Sequence, residues 1–463
     1  MSARLGDLAL RAVDLSLAAA TVLAGALVLL ARRAVRRPSM PSERPRVLVL
    51  DTAYSLQVLR ARRSEHFITE RDLDGYFEHV WNVHPLIGAD PGHPVDAGVG
   101  PPAVERFADT HTMIEGKTRR FGSLSRLPYL NFALAQLQLV LMLDRLVHRE
   151  RIGIVRGDPY YMGLLAMVVG RLSDRPVEVR VNGNHDAIYQ TVGALAYPRI
   201  FRWRAVEQRV ARYMLSRADS VVVYNGDNRR FALQNDAPPD RLTWLTVWRI
   251  VNPVHVEEPA ARAPLPDEFG FGDRPVAVCV CRLERVKHPE DAVIAIAKAR
   301  RRHPELAGVV VGEGAMRPEL EELCAQLGVD GHVVLPGARD QPWIARMLTQ
   351  SSVVVVPLAG LALVESALSE TPIVAYDVEW HPEIIRPGEH GLLVPYRDTD
   401  AMADAICSLL EDRQLAARLG AAARIRAQEF MRAATLLDEE RALADRLLAQ
   451  SRAAARRQPA LTP

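Results

Sequence analysis

The residues best placed for chemistry in this chain are two cations. Arg282 and Lys287 stand directly after the apolar run Val276 to Cys281, in the stretch VAVCVCRLERVK. A run of this kind reads as a buried parallel strand that delivers both cations into the loop at its carboxyl end. Pro289 suits the first position of the next helix, and Glu290 and Asp291 suit its first turn, where acids are favoured. Ligands of open α/β sheets bind beyond the carboxyl ends of strands, so two fixed cations there suit a phosphate-bearing ligand, a pair of phosphates above all. Spacing alone equally allows two solvated surface charges.

Other constellations imitate known sites and are set aside. Gly116, Lys117 and Thr118 end like a phosphate-binding loop, but His111 stands where an earlier glycine is needed and no strand is read before it. Gly312 and Gly314 follow a strand and open a helix. Arg317, however, takes the place where a dinucleotide fingerprint needs glycine or alanine, which argues against a dehydrogenase. Asp398, Thr399 and Asp400 precede a helix, so capping explains them and no metal site is assigned. Cys279, Cys281, Cys324 and Cys407 show no CxxC spacing and read as reduced, buried thiols.

The elements that must position the cations alternate between strand and helix. In the first half the strands are Val47 to Leu50, Ile152 to Val155, Val177 to Val181 and Ser220 to Tyr224. A long helix over Pro128 to His148 carries Leu130, Ala133, Leu137, Leu141 and Leu146 at helical spacing. The segment after the first strand, which ends at Asp51, has no glycine to let a phosphate approach the backbone, so the first crevice is not read as the main phosphate site. Ile250 to Pro253 closes this half, and Pro259, Pro264 and Pro266 mark a linker. The second half repeats the alternation with strands Gly308 to Val311, His332 to Leu335, Ser352 to Val356 and Ile373 to Tyr376. The helix holding Leu320, Leu323, Cys324 and Leu327 stops at Gly328. Two doubly wound α/β domains with a cleft between them follow.

At 463 residues and 49% hydrophobic content the chain can bury a large core. A net charge of +2 argues against a general nucleic-acid binder. The uncharged run Leu15 to Ala31, followed by Arg32, Arg33, Arg36 and Arg37, is long enough to span a bilayer and would keep the following domains on the cytoplasmic side. An amphipathic helix lying at the interface is the alternative. Residues Pro38 to Pro45 read as a tether. The expected organisation is an anchor over 1–37, a first Rossmann-like domain over 38–258, a second over 259–430, and a C-terminal helix with a basic tail over 431–463. In that tail Arg452, Arg456 and Arg457 face either anionic lipid or water.

From about Arg46 to about Phe430 the sequence resembles the retaining glycosyltransferases of family four, which have the two-domain GT-B fold. CRLERVKHPEDAV, VVGEGAMRPELEEL, LALVESALSETPIVAYD and EIIRPGEHGLLVP carry the likeness in the second half; RVNGNHD, RADSVVVYN and IVNPV carry it in the first. The resemblance implies that Arg282 and Lys287 hold the diphosphate of a nucleotide sugar, that Glu365 accepts hydrogen bonds from the ribose, and that His185 lies on the opposite lip near the transferred sugar. It also implies that Gly312 belongs to the donor site and that the backbone at Gly360, Leu361 and Ala362 meets phosphate oxygens. No metal or cofactor is expected. Pro357 departs from the pattern, since the family places a second glutamate there, and the loop PLAG is shortened. Glu379, His381 and Glu383 are the candidates to supply the missing contact. The expected activity is transfer of a sugar from a nucleotide diphosphate to a lipid-linked or glycan acceptor at the cytoplasmic face of a membrane. A nucleotide-sugar-binding scaffold without turnover, or an epimerase or hydrolase of the same architecture, is the alternative.

Overall fold

The structure is a computed structural model that describes residues 2–36, 39–50, 54–61, 65–87, 98–193, 200–201, 203–245, 251–265, 267–431 and 433–457. Arg37, Pro38, Asp51, Ile250 and Pro266, all used in the sequence reading, lie outside the described residues. Two sheets organise the chain. The first holds β1 (Arg46–Leu50), β2 (His79–Ile87), β3 (Ala103–Ala108), β4 (His111–Lys117), β5 (Ile154–Gly157), β6 (Val177–Val181), β7 (Ser220–Val223) and β8 (Leu242–Trp244). Its order is β3-β4-β2-β1-β5-β6-β7-β8, parallel except where β3 runs against β4 at the edge. The second holds β9 (Val276–Val280), β10 (Ala307–Val311), β11 (Val333–Gly337), β12 (Val353–Val356), β13 (Ile373–Tyr376) and β14 (Leu392–Val394), in the order β11-β10-β9-β12-β13-β14.

The strands are buried on both faces because helices cover both, which is why Val47–Leu50, Val353–Val356 and Ile373–Tyr376 read as unbroken apolar runs. Their boundaries fall within a residue or two of the sequence reading. The segment between the first strand and the long helix differs more. It forms β2, β3 and β4, and β4 contains Gly116 and Lys117, so a strand is present where none was read. The phosphate-loop reading stays rejected for a new reason: a Cβ on Gly116 would collide with the Pro85 carbonyl oxygen, so this glycine lets neighbouring strands close up.

The helix Ala433–Arg457 crosses back to the first sheet. Leu436, Leu443, Leu447 and Leu448 join Val47, Val49, Ile154 and Val222 in one buried cluster. On the same face Glu440 meets Arg180 and, at 3.9 Å, Arg156, while Arg156 pairs with Glu178 at 2.9 Å in a buried network. Breaking such a network by removing one member strands the others in low dielectric, so it fastens the chain's end to the first sheet.

The N-terminal helix Ser2–Val35 lies along the helix Pro128–Arg149. The segment after it is no free tether. Arg175 donates to Ser39 Oγ at 2.8 Å, Arg151 Nε to the Met40 carbonyl at 2.9 Å, and Ser42 N–H to the Arg151 carbonyl at 2.8 Å. Proline and serine content suggested a linker, but the buried Arg175 and the exposed Arg151 both bond to it, and the segment is strapped down.

Candidate active site

The second sheet has its topological switch point between β9 and β12. From β9 the chain winds outward through β10 and β11, then returns to the other side at β12. A crevice opens at the carboxyl ends of such a pair, because their following helices leave in opposite directions. Arg282 and Lys287 follow β9, and Gly360, Leu361, Ala362 and Glu365 follow β12, so one crevice receives all of them.

Backbone hydrogen bonds hold the cation loop. Cys281 N–H donates to Val311 at 3.1 Å, Leu283 N–H to Glu313 at 3.0 Å and Met316 N–H to Leu283 at 2.9 Å. Gly312 (φ +145°) and Gly314 make this approach feasible, since a Cβ would strike the Cys281 carbonyl at the one and the Leu283 carbonyl at the other. Gly312 therefore acts on the loop that carries Arg282.

The cations differ in their partners. Arg282 is exposed and grips both oxygens of Glu284 at 2.7 Å. Lys287 ends a single 3-10 turn, with its backbone N–H bonded to the Glu284 carbonyl at 2.8 Å, and its ammonium makes no hydrogen bond or ion pair among the described residues. Burial lowers its pKa, against the opposing pull of the Glu379 carboxylate. An ammonium in that position gains more from an arriving anion than one already paired in water.

Glu365 sits one turn inside the helix Leu361–Leu368, only 6% exposed, and its carboxyl forms no hydrogen bond among the described residues. Burial raises its carboxyl to about 7. The imidazole of His255 lies 3.9 Å away, set into place by the Asn252 cap and Pro253. That imidazole is bound at Nε2 to Gln341 at 2.7 Å and is held near 4, chiefly by burial, so it is neutral and does not pair with the acid. An unpartnered buried carboxyl is costly unless something outside the chain completes its hydrogen bonds. At the head of the same helix Gly360 provides no side-chain cap, leaving the first amides open to a ligand.

The three substitutes suggested for the acid missing at Pro357 separate clearly. His381 is buried; its Nδ1 donates to the Tyr376 carbonyl at 2.9 Å and its Nε2 accepts from Ala359 N–H at 3.2 Å. It clamps the loop 357–360, a role the sequence did not reveal. Glu383 reaches across to the first half, where its Oε1 accepts from Gly226 N–H at 2.8 Å. Glu379 lies in the left-handed region at φ +52°, beside Lys287, and has no hydrogen bond or ion pair among the described residues.

The opposite lip comes from β6 and β7. After β6, Asn184 accepts from Ala187 N–H at 3.1 Å and caps the helix His185–Val192, which touches the turn Arg285–Lys287. His185 is the first residue of that helix. Its ring packs edge-on against Tyr160 at 5.0 Å and near Phe231 at 6.1 Å. Burial first, then Arg204, lowers its pKa to about 4, so it is neutral and offers one N–H donor. Asp186 is bound by Arg204 and by Asn235 Nδ2 at 3.0 Å, and is not free for chemistry. Asp398 accepts from the amides of Asp400 and Ala401, as a helix cap does. The Cys279 and Cys281 sulfurs lie 3.9 Å apart and unbonded, and Cys324 and Cys407 are buried and free.

Residues 264–426 match the family model of glycosyl transferases group 1. The chain is 33% identical over 164 residues to the alpha-D-kanosaminyltransferase of Streptomyces kanamyceticus, covering 35% of this chain and 42% of that one. It is also 33% identical over 178 residues to a GDP-mannose-dependent alpha-(1-6)-phosphatidylinositol monomannoside mannosyltransferase of Mycolicibacterium smegmatis, covering 36% and 47%. The chain thus spans less than half the length of these curated relatives. Among solved structures, sucrose-phosphate synthase from Thermosynechococcus elongatus superposes with a TM-score of 0.66 at 19% identity over 88% of this chain and 100% of the other. The HepE protein of Anabaena, in complex with UDP and glucose, gives 0.62 at 15% over 87% and 100%. The chain therefore has the GT-B fold, and its residues 264–426 are similar to the glycosyl transferases group 1.

Proposed function

We propose that the protein is a retaining glycosyltransferase that moves a sugar from a nucleotide diphosphate to a lipid-linked or glycan acceptor at the cytoplasmic face of a membrane. The observation that carries this reading is the pair of unpartnered groups at the switch point, the Lys287 ammonium after β9 and the Glu365 carboxyl after β12. A cation suited to phosphate and an acid suited to vicinal hydroxyls, on adjacent strands, match the two ends of a nucleotide diphosphate's ribose-phosphate segment.

In this reading Lys287 and Arg282, once released from Glu284, hold the diphosphate, with the open amides at Leu361 and Ala362 beside them. As the bond from the anomeric carbon to the phosphate oxygen breaks, negative charge grows on the diphosphate. Fixed cations stabilise that charge more than they stabilise the ground state. The acceptor oxygen bonds to the anomeric carbon on the same face, and its proton passes to the departing phosphate oxygen, so configuration is retained. These two cations supply the charge, and the scheme calls for no divalent metal or cofactor. His185, neutral, donates a hydrogen bond to the sugar. Relatives that use GDP-mannose or modify phosphatidylinositol mannosides support a nucleotide-sugar donor and a lipid-linked acceptor.

Pro357 and the Arg282–Glu284 pair favour a second reading, a nucleotide-sugar-binding scaffold without turnover. The purified protein, incubated with radiolabelled nucleotide sugars and membrane lipid extract, tests both. Transfer of label to lipid or glycan supports the first reading. Binding without transfer supports the second, and release of free sugar overturns both in favour of a hydrolase.

A further inference from the structure

The N-terminal helix Ser2–Val35 buries only a narrow stripe. Asp14, Ala18, Gly25 and Leu29 are buried at intervals of three to four residues, or multiples of them, along one face. Each end of the stripe is polar and specific. Asp14 accepts from the amides of Tyr129 and Leu130, at 3.0 and 2.8 Å, and so caps the helix Pro128–Arg149. Arg36 grips both oxygens of the buried Asp144 at 2.6 Å, and Arg33 meets Asp174 at 2.6 Å. Between them a Cβ on Gly25 would lie 2.6 Å from Leu137, so the two helices approach closely there. The docked register runs from Asp14 to Arg36.

The remaining surface is apolar and open. Leu15, Val22, Leu23, Leu27 and Leu30 are between 52% and 69% exposed. The most apolar 18-residue stretch within Ala9–Val35 has a mean hydropathy of 2.2 with 17% of it buried. The patch continues onto Tyr129 and Val168, 37% and 36% exposed on the two neighbouring helices. So large a continuous apolar surface is not stable in water. Exposed arginines flank it, Arg11 and Arg126 near the Asp14 end, Arg33 and Arg171 near the other. Cations at the margins of an apolar face complement the headgroups of anionic phospholipids.

A bilayer-spanning helix would have to release this seam. The Asp14 carboxylate would then enter hydrocarbon, the amides of Tyr129 and Leu130 would lose their cap, and Asp144 would be left buried without its cation. We propose that helix 2–35 stays docked on the first domain and lies in the plane of the membrane, with its outer face in the acyl region of an anionic bilayer. The first domain is then held on its side, at a fixed angle to the lipid surface, and the cleft opens along the surface from which a lipid-linked acceptor would be taken. This inference rests on the membrane-associated part of the function proposed above and replaces a spanning anchor with an in-plane one.

The full chain, tagged at both ends, is bound to preformed vesicles of phosphatidylcholine and phosphatidylglycerol and treated with protease from outside. Both tags should be cleaved. The double variant Leu23→Glu, Leu27→Glu, which leaves the docked stripe intact, should partition at least about tenfold less into the vesicles while keeping its circular dichroism. Protection of the N-terminal tag would overturn the in-plane helix and leave a spanning one. Failure of the unmodified chain to bind vesicles, or a soluble dimer that buries this face, would overturn the membrane surface altogether. Sugar transfer to a soluble acceptor, measured on the same preparations, is independent of each of these outcomes.

Discussion

The two crevices of this molecule are built from the same kind of sheet yet hold their polar groups differently. Around the first sheet, charged groups near the cleft are already partnered: Asp186 by Arg204 and Asn235, Asp227 by Arg230 and Asn184. Around the second, the Lys287 ammonium and the Glu365 carboxyl make no hydrogen bond among the described residues, and the imidazole nearest the acid is neutral. A folded chain leaves buried polar groups unsatisfied where a ligand will complete them, so the second sheet is the half prepared for a charged guest. The first sheet offers shape and a neutral imidazole, which suits positioning better than charge stabilisation.

The comparison breaks most sharply at Lys287. Lys287→Ala should lower kcat/KM about a hundredfold, on the order of 3 kcal/mol in the barrier, with the fold intact by circular dichroism. An unchanged rate in a radiolabel transfer assay would make the crevice incidental.

Glu365 gives the next largest effect, through pH. Burial raises its carboxyl from 4.5 to about 7, so folding favours the protonated form. Its contribution is complete below pH 4.5 and is lost as pH rises through 7, about 3 kcal/mol in all. Thermal unfolding followed from pH 4.5 to 8 should show the native chain losing on the order of 5 °C more than Glu365→Gln over that range. Parallel curves would mean that the acid is solvated.

On the first sheet the effects should be smaller. His185→Ala should reduce turnover about tenfold, near 1.4 kcal/mol, while nucleotide diphosphate affinity by calorimetry stays unchanged. A loss confined to affinity would move this side chain to the donor side. Glu383→Gln, which weakens the acceptance of the Gly226 N–H across the cleft, should raise the donor KM only a few-fold, about 1 kcal/mol. A hundredfold change there would make cleft closure, rather than the charged crevice, the controlling feature.

These contrasts also explain which parts were legible in the sequence. Doubly covered strands such as Val353–Val356 announce themselves, and the cations after β9 follow because a strand end fixes where the next residues go. The strands β2 to β4 did not show, since their polar residues Asn82, His84, His111 and Thr112 are buried inside the sheet and break the apolar pattern. The role of His381 was hidden because clamping a loop depends on one carbonyl and one amide from different segments, which no local spacing encodes. Leu137 and Leu141 were legible as a stripe on the long helix, but not that part of that stripe faces the N-terminal helix, where Gly25 meets Leu137. Arg282 was read as a phosphate-holding cation or a solvated charge, and nothing in the spacing forecast its grip on Glu284.

The most direct test is a structure of the protein with a nucleoside diphosphate bound. The account predicts the diphosphate at the carboxyl end of β9 within hydrogen-bond reach of the Lys287 ammonium, Arg282 turned from Glu284 onto a phosphate oxygen, and both ribose hydroxyls on the Glu365 carboxyl. A nucleotide seated at the first sheet, with Lys287 and Glu365 still unpartnered, would contradict it.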